Sequence, residues 1–512
     1  MINSPRKPPE LSVAETPKPL VGRARRRSAA DRRILAENAS KAGELLAGTV
    51  QQLEDASPAV RLAGVHALER LADEDEAVRQ PCIDVLCAAV RAAPETRPEL
   101  DGEAGTEERL QAWRGERGYR RAVLDVIIAH LRDDAAVSWR GYDLDFTGIV
   151  IDGLEASGAP EDLAHTSLSF AGVTFDGGKI SFAGGRFTGG ELIFAGVTFA
   201  GCDISFAGAR FAGTRVSMLG AEFAAGQLSF AGAEFSGGKI SFTGAAFAGS
   251  DVDFTDMKFS GGEASFVGAD FGSGQVRFTD AKFSGGMVSL AKASFAGAGV
   301  SFAGARFIGT KVSLVGADFT AGEISFAGAE FGGGKVSFTA AVFSGAVVGF
   351  LGARFTGGYT SFLAAKFAAG EIRFMDAQFC SGEVGFVDAE FGGGEVSFVG
   401  AEFTGSEVSF TGADFARGTV SFVAAEFSGG EVRFPWAEFS GSSVRFASAS
   451  FTGGTVNFSR AKFNGGEVDF TSAIFSGGFV DLSEALTWVA PPLFDRVTYP
   501  IGLLLPASDD PD

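Results

Sequence analysis

The stretch FAGAEFSGGKIS, residues 230–241, is one copy of a 12-residue unit that repeats without interruption from Phe170 to Asp481. The chain holds 26 such units, and the sixth position is Phe in every one of them. The first position is also Phe, except in the three units that begin with Met218, Leu290 and Leu314. A short fixed period of this kind indicates a solenoid, in which each unit covers the apolar face of its neighbour.

Apolar residues occur two apart at two places in each unit. Val or Ile at position 11 precedes Phe at position 1, and Ala at position 4 precedes Phe at position 6. This spacing puts both members of a pair on the same side of an extended strand, so that positions 5, 10 and 12 point outward. The Gly pair at positions 8 and 9, such as Gly237-Gly238, permits the positive φ of a tight corner. A disordered Gly-rich chain is disfavoured because such chains lack a phased aromatic ladder.

Longer echoes in the sequence predict the size of a coil. FTDMKFSGG from Phe254 recurs as FTDAKFSGG from Phe278, and a stretch from Phe206 recurs from Phe302. These offsets of 24 and 96 residues are both multiples of two units, and 96 is not a multiple of three units. A one-unit coil would enclose two Phe rings in a very small perimeter. We therefore expect thirteen coils of 24 residues, about 62 Å long at ~4.8 Å per coil.

The patterns Ala-x-Phe-x-Gly and Val-Ser-Phe-x-Gly, as in residues 233–237 (AEFSG) and the close variant at 240–244 (ISFTG), resemble the pentapeptide-repeat family. The resemblance implies a mainly β fold, a right-handed quadrilateral β-helix with the central Phe stacked inside. Two extra residues, such as Gly238-Lys239, follow every second pentapeptide, which departs from the family pattern and from a perfectly square cross-section. The family is defined by its core, so the resemblance implies a fold and leaves the partner open.

The rest of the chain divides into four segments. Residues 1–33 form an Arg-rich tail with net charge +6, predicted to be disordered. Residues 34–132 are predicted to form an α-helical, HEAT-like domain that consists of a helical hairpin and one further helix. Ser57 is expected to be an N-cap before Pro58. The stretch VRLAGVHALERLA also resembles the helical part ahead of the repeats in some actinobacterial pentapeptide-repeat proteins. Residues 133–169 are read as a connector and irregular first coil, and residues 482–512 as a cap with Trp488, Phe494 and Leu503 as lid residues.

Catalytic chemistry has no candidate in this sequence. Four cysteines indicate a reducing compartment, hence a cytoplasmic protein, and neither Cys82 with Cys87 nor Cys202 with Cys380 forms a metal-ligand pattern. The three histidines, His66, His130 and His165, lie outside the repeats and are read as ordinary helix and loop residues rather than metal ligands. We therefore expect a non-enzyme with no catalytic residues, no cofactor and no metal. No apolar run predicts a signal peptide or transmembrane segment.

Charge is the one functional lead. The chain has a formal net charge of −20, and its repeats carry −9. Residues 374–409 contain seven carboxylates and no Lys or Arg, which makes them the candidate interaction patch: Asp376, Glu383, Asp388, Glu390, Glu395, Glu402 and Glu407. The first hypothesis is a scaffold or protein–protein interaction module with an unknown protein partner. The alternative is an acidic DNA mimic that inhibits or protects DNA gyrase or another DNA-handling enzyme. Nucleic-acid contact is expected at most weakly, from the Arg-rich tail, and a homodimer stays open.

Overall fold

The computed structural model describes residues 41, 43–91, 106–132, 134–152, 155–156, 165–495 and 501–506. It is a parallel β-solenoid of about 14 coils of roughly 24 residues, preceded by four helices. The mainly β fold and the 24-residue coil expected from the sequence are therefore confirmed. The Arg-rich tail, residues 1–33, lies outside the described residues.

Four helices precede the solenoid. They are α1 over residues 43–53, α2 (Pro58–Glu74), α3 (Glu76–Arg91) and α4 (Thr106–Leu131). The sequence predicted a hairpin and one further helix, so α1 is an addition. Ser57 is extended at the start of α2 and Pro58 is its first residue, as predicted, but the Ser57 hydroxyl makes no capping hydrogen bond. The apolar positions of α2, α3 and α4, among them Leu68, Ile83 and Ile127, are buried together.

Four short strands make one coil of the solenoid. A representative coil has Glu234–Ser236 and Lys239–Ser241 on one sheet and Ala246–Phe247 and Asp251–Asp253 on the other. We call these sheet A, with 27 described strands, and sheet B, with 25. Parallel pairing joins each residue to the one 24 positions further on, as Phe235 to Phe259 and Ile240 to Ala264. Successive 12-residue units therefore lie on opposite sheets.

The other coils place their strands at the same positions of the repeat. In six half-coils the two short strands join into one strand of eight residues. This strand continues through the Gly corner, and its pairing shifts register there. These long strands are Ser294–Ser301, Asp318–Ser325, Arg354–Ser361, Gln378–Gly385, Glu390–Ser397 and Asp414–Ser421.

Stacked phenylalanine rings fill the interior. Rings 24 residues apart lie nearly parallel, for example Phe398 and Phe422 with centroids 4.7 Å apart and planes inclined by 3°. Rings of successive units meet edge-on, as Phe386 and Phe398 do at 6.0 Å. Ala at position 4 and Val or Ile at position 11 are buried beside them. Outward residues consequently project from a continuous, close-packed support.

The corners depend on backbone conformations that the sequence revealed only in part. Gly237 and Gly238 both have positive φ, as predicted, with φ of 73° and 77°. A second corner at position 3 also requires positive φ, and non-glycine residues such as Asp256 and Asp388 adopt it at 56° and 53°. Such values are uncommon outside glycine, with Asp among the residues that tolerate them best. The sequence reading missed this corner because position 3 varies in residue type.

The N-terminal end of the solenoid is covered by helix α3. The strand Asp143–Asp145 pairs with Ser167–Ser169 at the usual 24-residue spacing, so the first described strands already follow the regular coil. On the other edge of this strand, the Gln80 side chain donates to Asp143 O at 2.9 Å and accepts from Asp143 N at 3.0 Å. Arg91 donates to Asp145 O at 2.9 Å. The side chains of α3 thus satisfy an edge that would otherwise offer unpaired backbone groups.

The C-terminal end is covered by a loosely paired last coil. Thr487–Trp488 pairs beside Phe463 with one residue inserted, and Leu503–Leu504 pairs beside Val480 with one residue fewer. Trp488 meets the Phe463 ring edge-on at 5.2 Å, and Phe494 stacks on Phe470 at 5.1 Å. Trp488, Phe494 and Leu503, read from the sequence as lid residues, therefore lie over the last rungs of the ladder.

Candidate functional site: charged columns on sheet A

Outward residues form columns along the solenoid because every coil repeats the register of the last. Position 5 of alternate units forms one column on sheet A, and position 10 forms a second, with neighbours about 4.8 Å apart. The pairing of Arg186 with Arg210 and of Arg210 with Glu234 illustrates the first column. The pairing of Arg215 with Lys239 illustrates the second. Charges far apart in the sequence are thereby brought into contact.

The N-terminal half of sheet A carries a concentration of bases, which we call the basic stripe. Its members occupy both columns and are Arg186, Arg210, Arg215, Lys239, Lys258, Lys282, Arg306, Lys311, Lys335 and Arg354. Four carboxylates in the same columns, Glu191, Glu234, Glu263 and Glu330, leave this surface with a net positive charge. The net negative charge of the whole chain gives no indication of this positively charged surface.

Two carboxylates within the basic stripe, Glu234 and Glu330, are held between bases. Glu234 receives a hydrogen bond from Lys258 at 2.7 Å and lies 3.4 Å from Arg210 on the opposite side. The hydrogen bond and charge of Lys258, together with the charge of Arg210, lower the pKa of Glu234. A groove of about 660 Å³ follows this column, with cations on its rim and the hydroxyls of Ser236, Ser260 and Ser284 among its lining.

The C-terminal half of sheet A carries the opposite charge, in what we call the acidic stripe. Its members are Glu383, Glu402, Glu407, Glu426 and Glu431, which occupy the same two columns. The sign changes between the coil of Arg354 and that of Gln378, which pair directly. Arg433 contacts Glu407 and lies 3.5 Å from Glu431. Each of the two columns is thus mainly basic along its first half and acidic along its second.

The seven carboxylates predicted as one patch lie on several surfaces. Glu383, Glu402 and Glu407 come together on sheet A, with Glu383 and Glu407 in direct register. Glu390 and Glu395 lie on sheet B, where Lys366 from the preceding coil donates to Glu390 at 3.1 Å. Asp376 and Asp388 occupy corners, with φ of 54° and 53°. The linear run 374–409 mixes these surfaces because each unit returns on the opposite sheet.

Sheet B has its own acidic column, formed by Glu390, Asp414 and Glu438 in register. Burial raises the pKa of Asp414, and the charges of Glu438 and Glu390 raise it further. Lys366 and Lys462 border the column at its two ends. Carboxylates here repel one another, whereas Glu234 on sheet A is attracted by both of its neighbours.

The cysteines are placed for packing. Burial raises the pKa of Cys82 and of Cys202 to about 11 and that of Cys87 to about 12, so these thiols stay protonated at neutral pH. All four cysteines are free, and Cys380 lies half-buried on sheet A.

The histidines have ordinary partners. His66 contacts Glu69 at 2.8 Å, and His165 lies at a corner with φ of 57°. His130 donates from Nδ1 to Val126 O at 2.7 Å, and its Nε2 faces Asp73 Oδ2 at 3.2 Å. Among the described residues, no three His, Cys, Asp or Glu side chains converge as metal ligands. None of the described helices is long and apolar enough to cross a membrane.

Comparison with known proteins adds no relative. No protein-family model matches the chain, and neither a curated protein nor a solved structure matches it. The observed fold, a regular β-solenoid with a phenylalanine ladder, is consistent with a pentapeptide-repeat fold.

Proposed function

We propose that this chain is a non-catalytic, cytoplasmic β-solenoid scaffold of the pentapeptide-repeat type, which binds a protein partner along sheet A. The observation that carries this proposal is the separation of charge on sheet A into a basic and an acidic stripe. Exposed charges on a preorganised surface favour selective encounter with a complementary partner more than they favour raw affinity. The stacked core supports this role because a rigid surface loses little conformational entropy on binding.

The charge of the acidic stripe favours the scaffold hypothesis over the DNA-mimic hypothesis. The stripe holds five carboxylates over three coils, about 14 Å of the solenoid, whereas duplex DNA of that length carries roughly eight charges. The contacts of Arg433 with Glu407 and Glu431 reduce the negative charge of the stripe further. The adjoining basic stripe would repel a protein groove built to hold DNA.

Affinity purification from the native cell with three baits tests the proposal. The first is the wild-type protein, the second carries Arg306→Glu and Lys311→Glu on sheet A, and the third carries Glu371→Lys and Glu395→Lys on sheet B. A protein other than the bait should be retained by the wild type and the sheet B variant and lost from the sheet A variant. Identical captured sets from all three baits would contradict the use of sheet A as a binding face.

A further inference from the structure

The groove on sheet A lies over a single row of strands, and all of its lining residues belong to positions 5 to 7 of alternate units. The first strand of this row is Arg186–Thr188 and the last is Arg306–Ile308. Position 6 points inward, so positions 5 and 7 are neighbours on the outer side of one strand, about 6.6 Å apart. The groove therefore follows one column of charges, on one side of the Gly corner, for about 24 Å.

The position 5 column carries an unbalanced positive charge along this groove. Its register gives five bases and one carboxylate, in the order Arg186, Arg210, Glu234, Lys258, Lys282 and Arg306. Lys282 has Lys258 on one side and Arg306 on the other, and like charges on adjacent strands destabilise a sheet. Asp256 and Asp280 of the same units occupy the position 3 corner and do not line the groove. An anion in the groove would relieve the repulsion around Lys282.

The rest of the lining is small and presents no aromatic surface. Position 7 contributes Thr188, Ala212, Ser236, Ser260, Ser284 and Ile308. The two rings in the lining, Phe235 and Phe283, are each 1% exposed and belong to the interior ladder. A strand of nucleic acid gains about 1–3 kcal/mol per base by stacking on exposed rings. The groove therefore suits a chain of phosphate groups without bases better than it suits a nucleic acid.

We propose that the groove binds inorganic polyphosphate, an unbranched chain of phosphate groups, along the solenoid axis. Lys and Arg form strong charge-assisted hydrogen bonds to phosphate oxygens, and successive coils present side chains about every 4.8 Å. Polyphosphate carries negative charge on every phosphate group, so it can neutralise each base without a fixed register. An extended acidic peptide presents side chains to one face only about every 6.8 Å and brings fewer charges to the same length. This activity goes beyond the scaffold function because the ligand is not a protein.

Fluorescence anisotropy with labelled polyphosphate and the full-length chain tests the site. The groove variant carries Lys258→Gln, Lys282→Gln and Arg306→Gln. The matched control carries Arg215→Gln, Lys239→Gln and Lys311→Gln in the position 10 column, so it loses the same residue types outside the groove lining. At about 50 mM salt, the groove variant should bind at least about tenfold more weakly than the wild type, and the control within about threefold. The Arg-rich tail is common to all three proteins, so the differences between them report on sheet A.

Salt dependence counts the contacts. Each base that neutralises a charge of a single-stranded polyanion contributes ~0.7 to the slope of log affinity against log salt concentration. The groove variant should therefore lose about 2 from the wild-type slope, because three bases are removed. The position 10 control should keep the wild-type slope.

A single reversal, Lys282→Glu, separates loss of binding from loss of the fold. It places a carboxylate between Lys258 and Arg306, as Glu234 lies between Arg210 and Lys258, so the column repeats an arrangement that it already contains. By circular dichroism this variant should melt at or above the temperature of the wild type, since attraction replaces repulsion. Its affinity for polyphosphate should nevertheless fall by at least about fivefold.

The proposal is overturned if polyphosphate does not bind at low salt, or if the groove variant and the position 10 control lose affinity equally. Two further ligands of matched charge test other occupants. Oligothymidylate that binds the groove more tightly than polyphosphate would overturn the proposal in favour of a nucleic acid strand. Polyglutamate that does so would overturn it in favour of an acidic segment of a protein partner, and would leave the scaffold function standing.

Discussion

At the residue scale, the two glycines of one corner have different tasks. A Cβ added at Gly237 has no heavy atom within 4 Å, whereas a Cβ at Gly238 would lie 2.3 Å from the carbonyl oxygen of Thr214 in the preceding coil. Gly237 therefore supplies only the positive φ, and Gly238 also permits two coils to approach. The sequence predicted a corner at this pair but could not distinguish its members, because the contact is made by a residue 24 positions away.

Alanine at each glycine tests this distinction. Gly237→Ala should lower the free energy of unfolding by about 1–2 kcal/mol, the cost of a left-handed conformation for a residue with a Cβ. Gly238→Ala should lower it by about 3–5 kcal/mol because backbone must shift as well. Urea denaturation followed by circular dichroism measures both. Equal losses would show that the approach of the coils is not the constraint.

One defect in the ring ladder has a local explanation. Phe259 is tilted by 40° and 49° against Phe235 and Phe283, while most rings in this column are nearly parallel. The coil of Phe259 is also the one with Met257 at position 4, usually Ala, and Ala264 at position 11, usually Val or Ile. Both are buried on the inner side of the strands that flank Phe259. A larger side chain on one side and a smaller one on the other thus accompany the tilt.

A double-mutant cycle tests whether these exchanges compensate. Met257→Ala should cost about 2–5 kcal/mol through a cavity, and Ala264→Val about 1–3 kcal/mol through overpacking against the tilted ring. The double variant restores the consensus of the repeat, so it should lie within about 1 kcal/mol of the wild type. Additive losses in denaturant unfolding would mean that the two sites are independent.

At the element scale, the strand register brings the charges of one column into contact. The resulting pKa shifts have opposite directions for Asp414 on sheet B and Glu234 on sheet A. The raised pKa of Asp414 means that its ionised form is disfavoured in the fold, so its ionisation lowers stability at neutral pH and this loss disappears as the pH falls through the raised pKa. The lowered pKa of Glu234 means the reverse: it contributes stability at neutral pH, which is lost as the pH falls through the lowered pKa.

Neutral substitutions at the two sites should therefore differ in sign. Asp414→Asn should raise the melting temperature at pH 7, and Glu234→Gln should lower it, each by an effect within about 1 kcal/mol because both groups are in contact with solvent. Neither substitution should change it once the pH lies below both folded pKa values. Calorimetry as a function of pH measures this, and shifts of the same sign at pH 7 would contradict the assignment of the columns.

The columns also explain what the sequence could and could not predict. Period, inward positions and coil size follow from local spacing and from repeats 24 residues apart, because every coil repeats one register. Surface charge does not follow from a contiguous window, since residues 12 apart, such as Glu383 and Glu395, lie on opposite sheets. Reading every second unit would have revealed the basic stripe: Arg186, Arg210, Lys258, Lys282, Arg306 and Arg354 are separated by multiples of 24.

At the scale of the whole molecule, the helices and the solenoid share one continuous core, joined at Trp139. Trp139 is fully buried and stacks on His130 with ring centroids 4.0 Å apart. Its Nε1 donates to Asp73 Oδ1 at 2.9 Å, and the other oxygen of Asp73 faces His130 Nε2. Residues of α2 and α4 therefore hold the segment from which the first strand leaves. Together with the contacts of α3 at Asp143, this junction ties the cap to the rod.

Loss of the junction should uncouple the two parts. Trp139→Ala should cost about 3–5 kcal/mol, since it removes a buried aromatic and the indole donor to Asp73 Oδ1. Because repeat arrays are stabilised mainly by neighbouring contacts, the helices should then melt separately, before the solenoid. Scanning calorimetry should show two transitions in place of one.

The matched control is Trp436→Ala at an exposed corner, where the ring is 50% exposed and contacts Arg460. This substitution should change the free energy of unfolding by less than about 1 kcal/mol. A single transition in Trp139→Ala, lowered no more than in the control, would mean that the helices and the rod are joined elsewhere.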